Sequence, residues 1–341
     1  MAGANARSES FAHMWRRRAL TVPLYHLLWL VVVGLLPLVV PVALAVDVVR
    51  RDRWILIRCV AFFTLYLSCE VIGIWISVWI WLVHRLRGDS AAEFVRRNFV
   101  LQQWWANALF RGGQRIFDLH LEVEGADCTT PGPYLFFIRH ASMADTVLPV
   151  VIIGRRHQIL LRYVIKAELL WDPCLDIGGH RLPNSFVWRD SDDTAAEVEK
   201  VAALADGLGA QDGVLIYPEG TRFTPEKRQR ALERLARGGP SPLRARAEAL
   251  RHMLPPRLGG PLALLERAPG MDVVFCGHVG MDGITSFNEL RNGRIIGRRI
   301  RVCFWRVPGS DIPCDRAAQA EWLFDQWARL DAWVGRQPGP P

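Results

Sequence analysis

Two long apolar segments near the N-terminus dominate the hydrophobic pattern of the chain. Ala19–Val46 contains no Asp, Glu, Lys or Arg over 28 positions, and a helix needs only ~20 apolar residues to cross the hydrocarbon core of a bilayer. Cys59–Val83 is also apolar and is rich in tryptophan near its far end, as interfacial anchoring favours. The pattern predicts an N-terminal two-helix membrane hairpin, with helices over about 19–46 and 59–83, that forms a domain of residues 1–88.

The hairpin has alternative topologies. Only a short loop separates its helices, so both termini lie on one side, and the arginine distribution gives a mild preference for the cytoplasmic side. Pro37 and Pro41 would kink the first helix, so a shallow hairpin that enters one leaflet is an alternative to two full spans. A cleaved signal peptide is disfavoured, because the apolar run exceeds the ~7–15 residues of such a segment. Glu70 in the second helix marks a polar contact or a water-filled vestibule, or else it is a neutral carboxyl hydrogen-bonded to the first helix.

From about residue 89 the pattern changes to short apolar runs that alternate with polar helical segments. Three helices are predicted, at Thr194–Leu208, Pro242–Met253 and Ala317–Val334. Six strands are predicted, at Phe117–Val123, Tyr134–Ile138, Ile159–Ile165, Val214–Tyr217, Val273–His278 and Ile300–Val307. This alternation predicts an α/β domain over residues 89–341, with a mixed, largely parallel sheet covered by helices. Ligands of such sheets bind where strands end, which favours the loops after residues 138 and 217.

Composition narrows the classes of partner. The formal net charge is +8, which admits nucleic acid, an anionic membrane surface or a polyanionic substrate. The arginine-dense segment from Arg228 to Arg257 lacks interleaved aromatics and any nucleic-acid motif, so a nucleic-acid partner is disfavoured. That segment could contact the phosphates of a substrate or an anionic leaflet, or it could be a solvated helix face. The seven cysteines form no CxxC or Cys/His cluster, which predicts reduced thiols without a metal site.

His140 and Asp145 follow the second predicted strand with four residues between them. Residues five apart on a regular helix lie ~140° apart, so Asp145 can orient His140 only if the histidine lies on the turn that enters a helix. A carboxylate on one imidazole nitrogen would fix the tautomer and leave the other nitrogen to take a proton from a hydroxyl. Taken alone, the spacing is weak, and a hydrogen-bonded structural histidine explains it as well.

A second group of candidates follows the strand that ends at Tyr217, in the sequence Pro218-Glu219-Gly220-Thr221-Arg222. Glycine permits close backbone approach, threonine can donate a hydroxyl, and arginine offers a fork suited to phosphate. Arg189, in the sequence Phe186-Val187-Trp188-Arg189, and Arg257 in a Pro/Gly-rich loop are further candidate anion contacts. The alternative for each is a surface turn with a solvated salt bridge.

The order of these motifs resembles that of the glycerolipid acyltransferase superfamily, which includes 1-acyl-glycerol-3-phosphate and lysophospholipid acyltransferases. The resemblance covers roughly residues 115–335, and its most specific parts are the HxxxxD and EGTR motifs in this order. Two features depart from the family pattern, because Arg139 stands where asparagine is common and the last block lacks its usual proline. The matching residues are His140, Asp145, Lys166, Leu169, Pro173, Phe186–Arg189 and Pro218–Arg222.

The resemblance implies an acyl-CoA-dependent O-acyltransferase with a His140–Asp145 general-base dyad, without a metal or cofactor. Its acceptor would be a lysophospholipid, with lysophosphatidic acid as the leading candidate. Another lysophospholipid, glycerol-3-phosphate or a lyso-aminolipid would suit the same motifs, and a non-catalytic lipid-binding member of the superfamily is a further alternative. The substrate contacts implied are Lys166, Arg189, Glu219, Gly220, Thr221 and Arg222.

The resemblance and the hairpin together imply an integral membrane protein that binds a phospholipid membrane, with its catalytic domain facing the cytoplasm. The membrane would be the bacterial inner membrane or, in a eukaryote, the endoplasmic reticulum. The motifs leave open whether the acyl donor is bound to CoA or to acyl carrier protein.

Overall fold

The computed structural model describes residues 9–51, 53–142, 144–154, 157–187, 194–237, 242–282 and 293–337. The chain divides into two compact units. The first unit comprises Met1–Leu119, Val164–Glu197 and Ser286–Gly297, and the second comprises His120–Tyr163, Val198–Thr285 and Arg298–Pro341. The boundary at residue 88 stays a prediction.

After the first three helices the chain contains both strands and helices. The helices are α1 Phe11–Arg50, α2 Ile55–Arg87, α3 Ala91–Phe117, α4 Pro173–Gly179, α5 Thr194–Ala202, α6 Pro225–Arg237, α7 Pro242–Ala249, α8 Gly259–Arg267 and α9 Arg316–Gly335. The strands are β1 His120–Glu124, β2 Tyr134–Ile138, β3 Leu160–Lys166, β4 Ser185–Val187, β5 Asp212–Ile216, β6 Val273–Val279 and β7 Arg299–Val307.

Helices α1 and α2 contain the two apolar segments and are long and apolar enough to cross a membrane. The most apolar window of α1 is only 6% buried and that of α2 is 28% buried, so neither resembles the enclosed core helix of a soluble protein. Asp47 near the end of α1 closes the hairpin, because its carboxylate accepts the backbone N–H groups of Leu56 and Ile57 at 3.1 and 2.9 Å. Helix α1 continues without interruption through Pro37 and Pro41.

Glu70 of α2 is fully buried, and its partners differ from the one considered above. Its carboxylate accepts the indole N–H of Trp105 in α3 at 2.8 Å and the backbone N–H of Cys174 in α4 at 3.1 Å. Both donors therefore lie outside α1. The residue thus makes polar contacts that join α2 to α3 and α4.

The sheet of the second unit has the strand order β1-β7-β6-β2-β5-β3. The β6–β7 pair is antiparallel and the other adjacent pairs are parallel. The last residues of β3, Val164–Lys166, belong to the first unit and pair in parallel with β4. The predicted fold class, a mixed and largely parallel sheet with helices, is confirmed.

Several predicted element boundaries were wrong. The first strand begins at His120 rather than at Phe117, because Phe117 ends α3 and packs edge-on against Phe62 of α2, with 5.5 Å between ring centroids. The following residue, Asp118, has φ of 55°, which breaks the helix before the strand starts. Helices α5 and α7 end at Ala202 and Ala249, earlier than their hydrophobic periodicity indicated.

Strand β2 lies at the centre of the core and places the candidate site. All five of its residues are buried, and it pairs in parallel with β5 on one side and with β6 on the other. The register Phe137↔Ile216 brings the ends of β2 and β5 to the same edge of the sheet. The loops that carry the two main motifs therefore emerge side by side.

Candidate active site

The loop after β2 carries His140, whose imidazole faces the carboxylate of Asp145. Nδ1 of His140 lies 3.2 Å from each carboxylate oxygen. The side chain of Asp145 is 0% exposed, whereas that of His140 is 12% exposed. A carboxylate at Nδ1 holds the proton there and leaves Nε2 as the basic nitrogen. The pair can therefore present one ring nitrogen to a reactant while the other is held in the interior.

Asp145 is fixed by backbone donors that precede it in the chain. Its Oδ2 accepts the N–H of Ala141 at 2.7 Å and that of Ser142 at 2.8 Å. Asp145 lies in the short 3-10 helix Ala144–Thr146, so the chain turns back between the histidine and the aspartate. This turn brings together two residues that a regular α-helix would keep apart. The charge-assisted N–H bonds hold the carboxylate in place.

His278 of β6 approaches the same carboxylate, and the sequence did not single it out. Its Nε2 donates to the carbonyl oxygen of Arg139 at 2.9 Å and lies 3.5 Å from Oδ2 of Asp145. Burial lowers the pKa of His278, which favours the neutral imidazole. The available signal was a histidine inside the otherwise apolar run of β6, next to the strand that leads to His140.

Glu219 supports the backbone of the site. Its Oε1 accepts the N–H of His140 at 2.9 Å and its Oε2 accepts the N–H of Leu254 at 3.0 Å. The residue is only 2% exposed. Burial raises the pKa of Glu219 to about 7, although both backbone hydrogen bonds and the charge of Arg139 oppose the shift. Both carboxylate oxygens thus contact the protein backbone.

Arg139, the residue that departs from the family pattern, points into the protein. Its guanidinium donates to the carbonyl oxygen of His278 at 2.6 Å and forms an ion pair with Asp282 at 2.6 Å. Arg139 is only 2% exposed. Burial would raise the pKa of Asp282, but the charge and hydrogen bond of Arg139 lower it. The positive charge beside the histidine is therefore neutralised within the fold.

The Glu219–Arg222 loop lies against His140 and begins with a turn that needs glycine. Gly220 has φ of +66°, and a Cβ there would lie 2.9 Å from Cδ and Nε of Arg257. The loop is joined to the histidine by the N–H of Phe223, which donates to the carbonyl oxygen of His140 at 3.1 Å. Lys227 donates to Oγ1 of Thr221 at 3.1 Å. Arg222 is half-buried in the same loop.

The ring of Tyr217 packs against the imidazole of His140, with 4.4 Å between centroids and an interplanar angle of 40°. Burial, with the nearby Asp145 charge, raises the pKa of Tyr217, so its hydroxyl stays protonated. From the sequence, Tyr217 was predicted only as the end of a strand. Its aromatic face restricts the rotation of the imidazole.

Within the part of the chain that the structure describes, the two remaining predicted substrate contacts, Lys166 and Arg189, are not brought together with His140. Lys166 ends β3, in the first unit, and is half-buried. Arg189 lies outside the described residues, as does Trp188 before it. Among the residues that the structure describes, no group of three or more His, Cys, Asp or Glu side chains is placed to hold a metal ion.

Residues 120–255 match the family model "Acyltransferase". The chain is 28% identical over 180 residues to 1-acyl-sn-glycerol-3-phosphate acyltransferase gamma of Mus musculus, an alignment that covers 50% of this chain and 44% of that protein. The chain thus spans less than half of that relative's length.

The crystal structure of the 1-acyl-sn-glycerophosphate (LPA) acyltransferase PlsC from Thermotoga maritima is also similar. It shares 13% sequence identity, covers 80% of this chain and 99% of its own, and has a TM-score of 0.43.

Proposed function

Residues 120–255 of the chain form an acyltransferase domain of the glycerolipid acyltransferase superfamily, and on this premise we propose that the protein transfers an acyl group from acyl-CoA to a lysophospholipid. The proposed acceptor is lysophosphatidic acid, which would yield phosphatidic acid. The observation that carries the proposal is the contact between a partly exposed His140 and a fully buried Asp145. The arrangement suits a general base that acts on a hydroxyl and needs no protein nucleophile.

In this mechanism Nε2 of His140 removes the proton from the free glycerol hydroxyl of the acceptor. The oxygen then attacks the thioester carbonyl carbon, and the bond to sulfur breaks as the new ester forms. The thiolate of CoA leaves and takes the proton back from the imidazolium. Asp145 holds Nδ1–H and stabilises the positive charge that the ring carries between these steps.

The neighbouring loop supplies positioning. Glu219 fixes the backbone of His140, while Gly220 allows the backbone to approach Arg257 closely. Arg222 would bind the acceptor phosphate, because a planar guanidinium can contact two phosphate oxygens at once. Thr221, Lys166 and Arg189 are proposed to complete the binding of the substrates. Holding the hydroxyl and thioester in contact lowers the entropic cost of the reaction.

We propose that α1 and α2 anchor the protein in a membrane, with the catalytic domain on the cytoplasmic side. The support is their length and their exposed apolar surface, which includes Leu30 at 59% and Leu38 at 65%. Trp75 and Trp79 of α2 are 62% and 63% exposed and would suit the membrane interface. The acceptor is itself a lipid, so an anchored enzyme would meet it in the bilayer.

The proposal is tested with the full-length protein in membranes, supplied with acyl-CoA and a panel of acceptors. The panel contains lysophosphatidic acid, other lysophospholipids, a lyso-aminolipid and glycerol-3-phosphate. Release of free CoA thiol and formation of labelled product are measured for each acceptor. We expect the highest kcat/KM for lysophosphatidic acid. Transfer to none of the acceptors would contradict the proposal and favour a non-catalytic lipid-binding role.

A further inference from the structure

The arginine-dense segment that the sequence left unassigned separates in the structure into two kinds of arginine. One kind is engaged by the fold. Arg228 donates to the carbonyl oxygens of Leu250 and Glu248, at 2.6 and 2.9 Å. Arg244 pairs with Glu248 at 2.8 Å, and Arg246 forms ion pairs with Glu321 and Asp325 of α9. These arginines therefore connect α6, α7 and α9.

The second kind forms a surface that we name the arginine face, consisting of Arg230, Arg234 and Arg257. Within the part of the chain that the structure describes, none of the three forms a hydrogen bond or ion pair through its side chain. Glu226 lies one turn before Arg230 and interacts with it electrostatically without a hydrogen bond. Arg230 and Arg234 are four residues apart on α6 and so share one side of the helix.

Arg257 connects this face to the candidate active site. Its backbone N–H donates to the carbonyl oxygen of Pro218 at 2.8 Å, and its side chain lies over Gly220. Burial and the nearby charge of Arg234 both lower the pKa of Arg257. Two like charges close together without a counter-charge are unfavourable, which an anion bound between them would relieve.

Helix α6 is tied to the loop that contacts His140. Nζ of Lys227, in the first turn of α6, donates to Oγ1 of Thr221 and to the carbonyl oxygen of Arg222, at 3.1 and 3.0 Å. The loop itself contacts His140 through Phe223. Positively charged side chains therefore extend from the loop beside His140, past Arg257, to the later turns of α6.

From this arrangement we propose that the arginine face binds the 3′-phosphorylated adenosine diphosphate part of CoA, so that the thioester arm extends along Arg257 towards His140. The inference rests on the proposed function, because it names the subsite of the acyl donor. Arginine suits this ligand, since its guanidinium pairs with phosphate oxygens and stacks on aromatic bases such as adenine.

An anionic bilayer is the other partner that the positive charge could attract. The arginine face, however, lacks exposed apolar side chains that would enter a membrane. None of the large hydrophobic residues in the described parts of α6, α7 or the loop 250–258 is exposed. The exposed apolar residues concentrate instead on α1 and α2. The observations therefore favour a small soluble polyanion.

The experiment measures binding and turnover separately, in nanodiscs of zwitterionic lipid. The test variant is Arg230→Gln/Arg234→Gln, and the control is Arg244→Gln/Arg246→Gln, which removes the same charge from arginines that are already paired. The binding probe is adenosine 3′,5′-bisphosphate, titrated by calorimetry into each protein. We expect the test variant to bind it about 3- to 10-fold more weakly than the wild type, and the control to bind it normally.

Turnover is then compared with acyl-CoA and with acyl-dephospho-CoA, which lacks the 3′-phosphate. We expect the wild type to show a 3- to 10-fold higher KM for the dephosphorylated donor, and the test variant to show nearly equal KM values. Equal discrimination by both proteins, or no binding of the bisphosphate to the wild type, would overturn the inference. An effect that appears only when anionic lipid is added would also overturn it, in favour of membrane contact.

Failure of the proposed function gives a different result. A wild type that binds the bisphosphate through Arg230 and Arg234 but transfers no acyl group would contradict the transfer reaction alone. His140→Ala should bind the bisphosphate as the wild type does, because the histidine lies outside the arginine face.

Discussion

Each of the two units contains a fully buried aspartate that contacts a histidine, yet the two aspartates have different surroundings. Asp176 of the first unit accepts hydrogen bonds from the guanidinium groups of Arg17 and Arg18, and Nδ1 of His180 lies 3.0 Å from its Oδ1. Asp145 of the second unit has no arginine among its described partners. It contacts His140, His278 and two backbone N–H groups.

The comparison shows which features separate an anchoring carboxylate from one that can orient a base. Although burial would raise the pKa of Asp176, hydrogen bonds from His180, Arg18 and Arg17 lower it, so this carboxylate is held as one member of an ion cluster. At Asp145 the described partners are two histidines and two backbone N–H groups, and the ring of His140 is 12% exposed. Whether a buried aspartate can orient a base therefore depends on which side chains surround it. The spacing of histidine and aspartate in the sequence does not show those surroundings.

The largest effect that separates the two aspartates is expected from replacing each with asparagine. Asp145→Asn should lower kcat by about 10²- to 10⁴-fold, because the imidazole loses the carboxylate that sets its tautomer. Asp176→Asn should keep kcat within a few-fold but lower the free energy of unfolding by about 3 kcal/mol, since it removes the counter-charge of Arg18 and one of the two counter-charges of Arg17. Acyl transfer and thermal unfolding in detergent measure the two outcomes. A variant Asp145→Asn with near-normal kcat would make Asp145 a structural residue.

Glu219 extends the comparison to a buried acid whose hydrogen-bond donors, among the described residues, are two backbone N–H groups. Its pKa is raised from the unfolded value of 4.5 to about 7. Between pH 4.5 and about 7, the folded protein therefore keeps a proton on Glu219 that the unfolded chain has released. The stability that this group contributes is therefore greatest below pH 4.5 and is lost as the pH rises towards 7, by on the order of 3 kcal/mol.

Glu219→Gln should remove this part of the pH dependence of stability, because glutamine does not titrate. The substitution also places an amide N–H₂ group against one of the two backbone N–H donors. Melting temperatures of the two proteins from pH 4.5 to 8 test the expectation. Parallel curves over that range would show that Glu219 keeps its ordinary pKa in the folded state.

Arg222→Lys tests whether phosphate binding is separate from base chemistry. Lysine keeps the charge but loses the planar fork, so the KM for the lysophospholipid should rise about 10- to 150-fold, equivalent to about 1.5–3 kcal/mol. The KM for acyl-CoA should stay nearly constant, and kcat should fall if the phosphate also positions the hydroxyl. A rise only in the KM for acyl-CoA would place Arg222 in the donor subsite instead.

The smallest effect concerns the second histidine on Asp145. His278→Ala removes the donor to the carbonyl of Arg139 and leaves space beside Oδ2 of Asp145, so kcat should fall about tenfold through misplacement of the dyad. His278→Gln can donate the same hydrogen bond and should recover part of the loss. Steady-state kinetics of both variants, with their melting temperatures as a control, test this role. Equal kcat in both variants and the wild type would limit His278 to packing.

The longer strands and the placement of the main motifs could be predicted because they depend on local patterns. Strand β2 is a continuous apolar run, and β5 and β6 are apolar runs of similar length. Parallel strands end at one edge of a sheet, so the loops with His140 and Glu219 were expected near each other. The hydrophobic pattern likewise predicted the two N-terminal helices, which lie within the longer helices α1 and α2.

The details that the sequence could not provide depend on contacts between distant residues. His278 reaches Asp145 only through the pairing of β2 with β6, and Glu219 joins His140 to Leu254 across the site. The charge of Arg139 was expected beside the base, but its partner Asp282 lies far along the chain. The hydrophobic pattern did not predict α3, and it assigned Phe117 to the first strand, whereas Phe117 ends α3 and packs on Phe62 of α2.

The most direct test of the central claim compares two histidines that each contact a buried aspartate. His140→Ala and His180→Ala are assayed in the same membranes as the wild type, with labelled acyl-CoA and lysophosphatidic acid, after equal expression and membrane insertion are verified. We expect His140→Ala to lose at least about 10²-fold in rate and His180→Ala to stay within a few-fold of the wild type. Turnover by His140→Ala at the wild-type rate would contradict the account, because His140 could then not be the base.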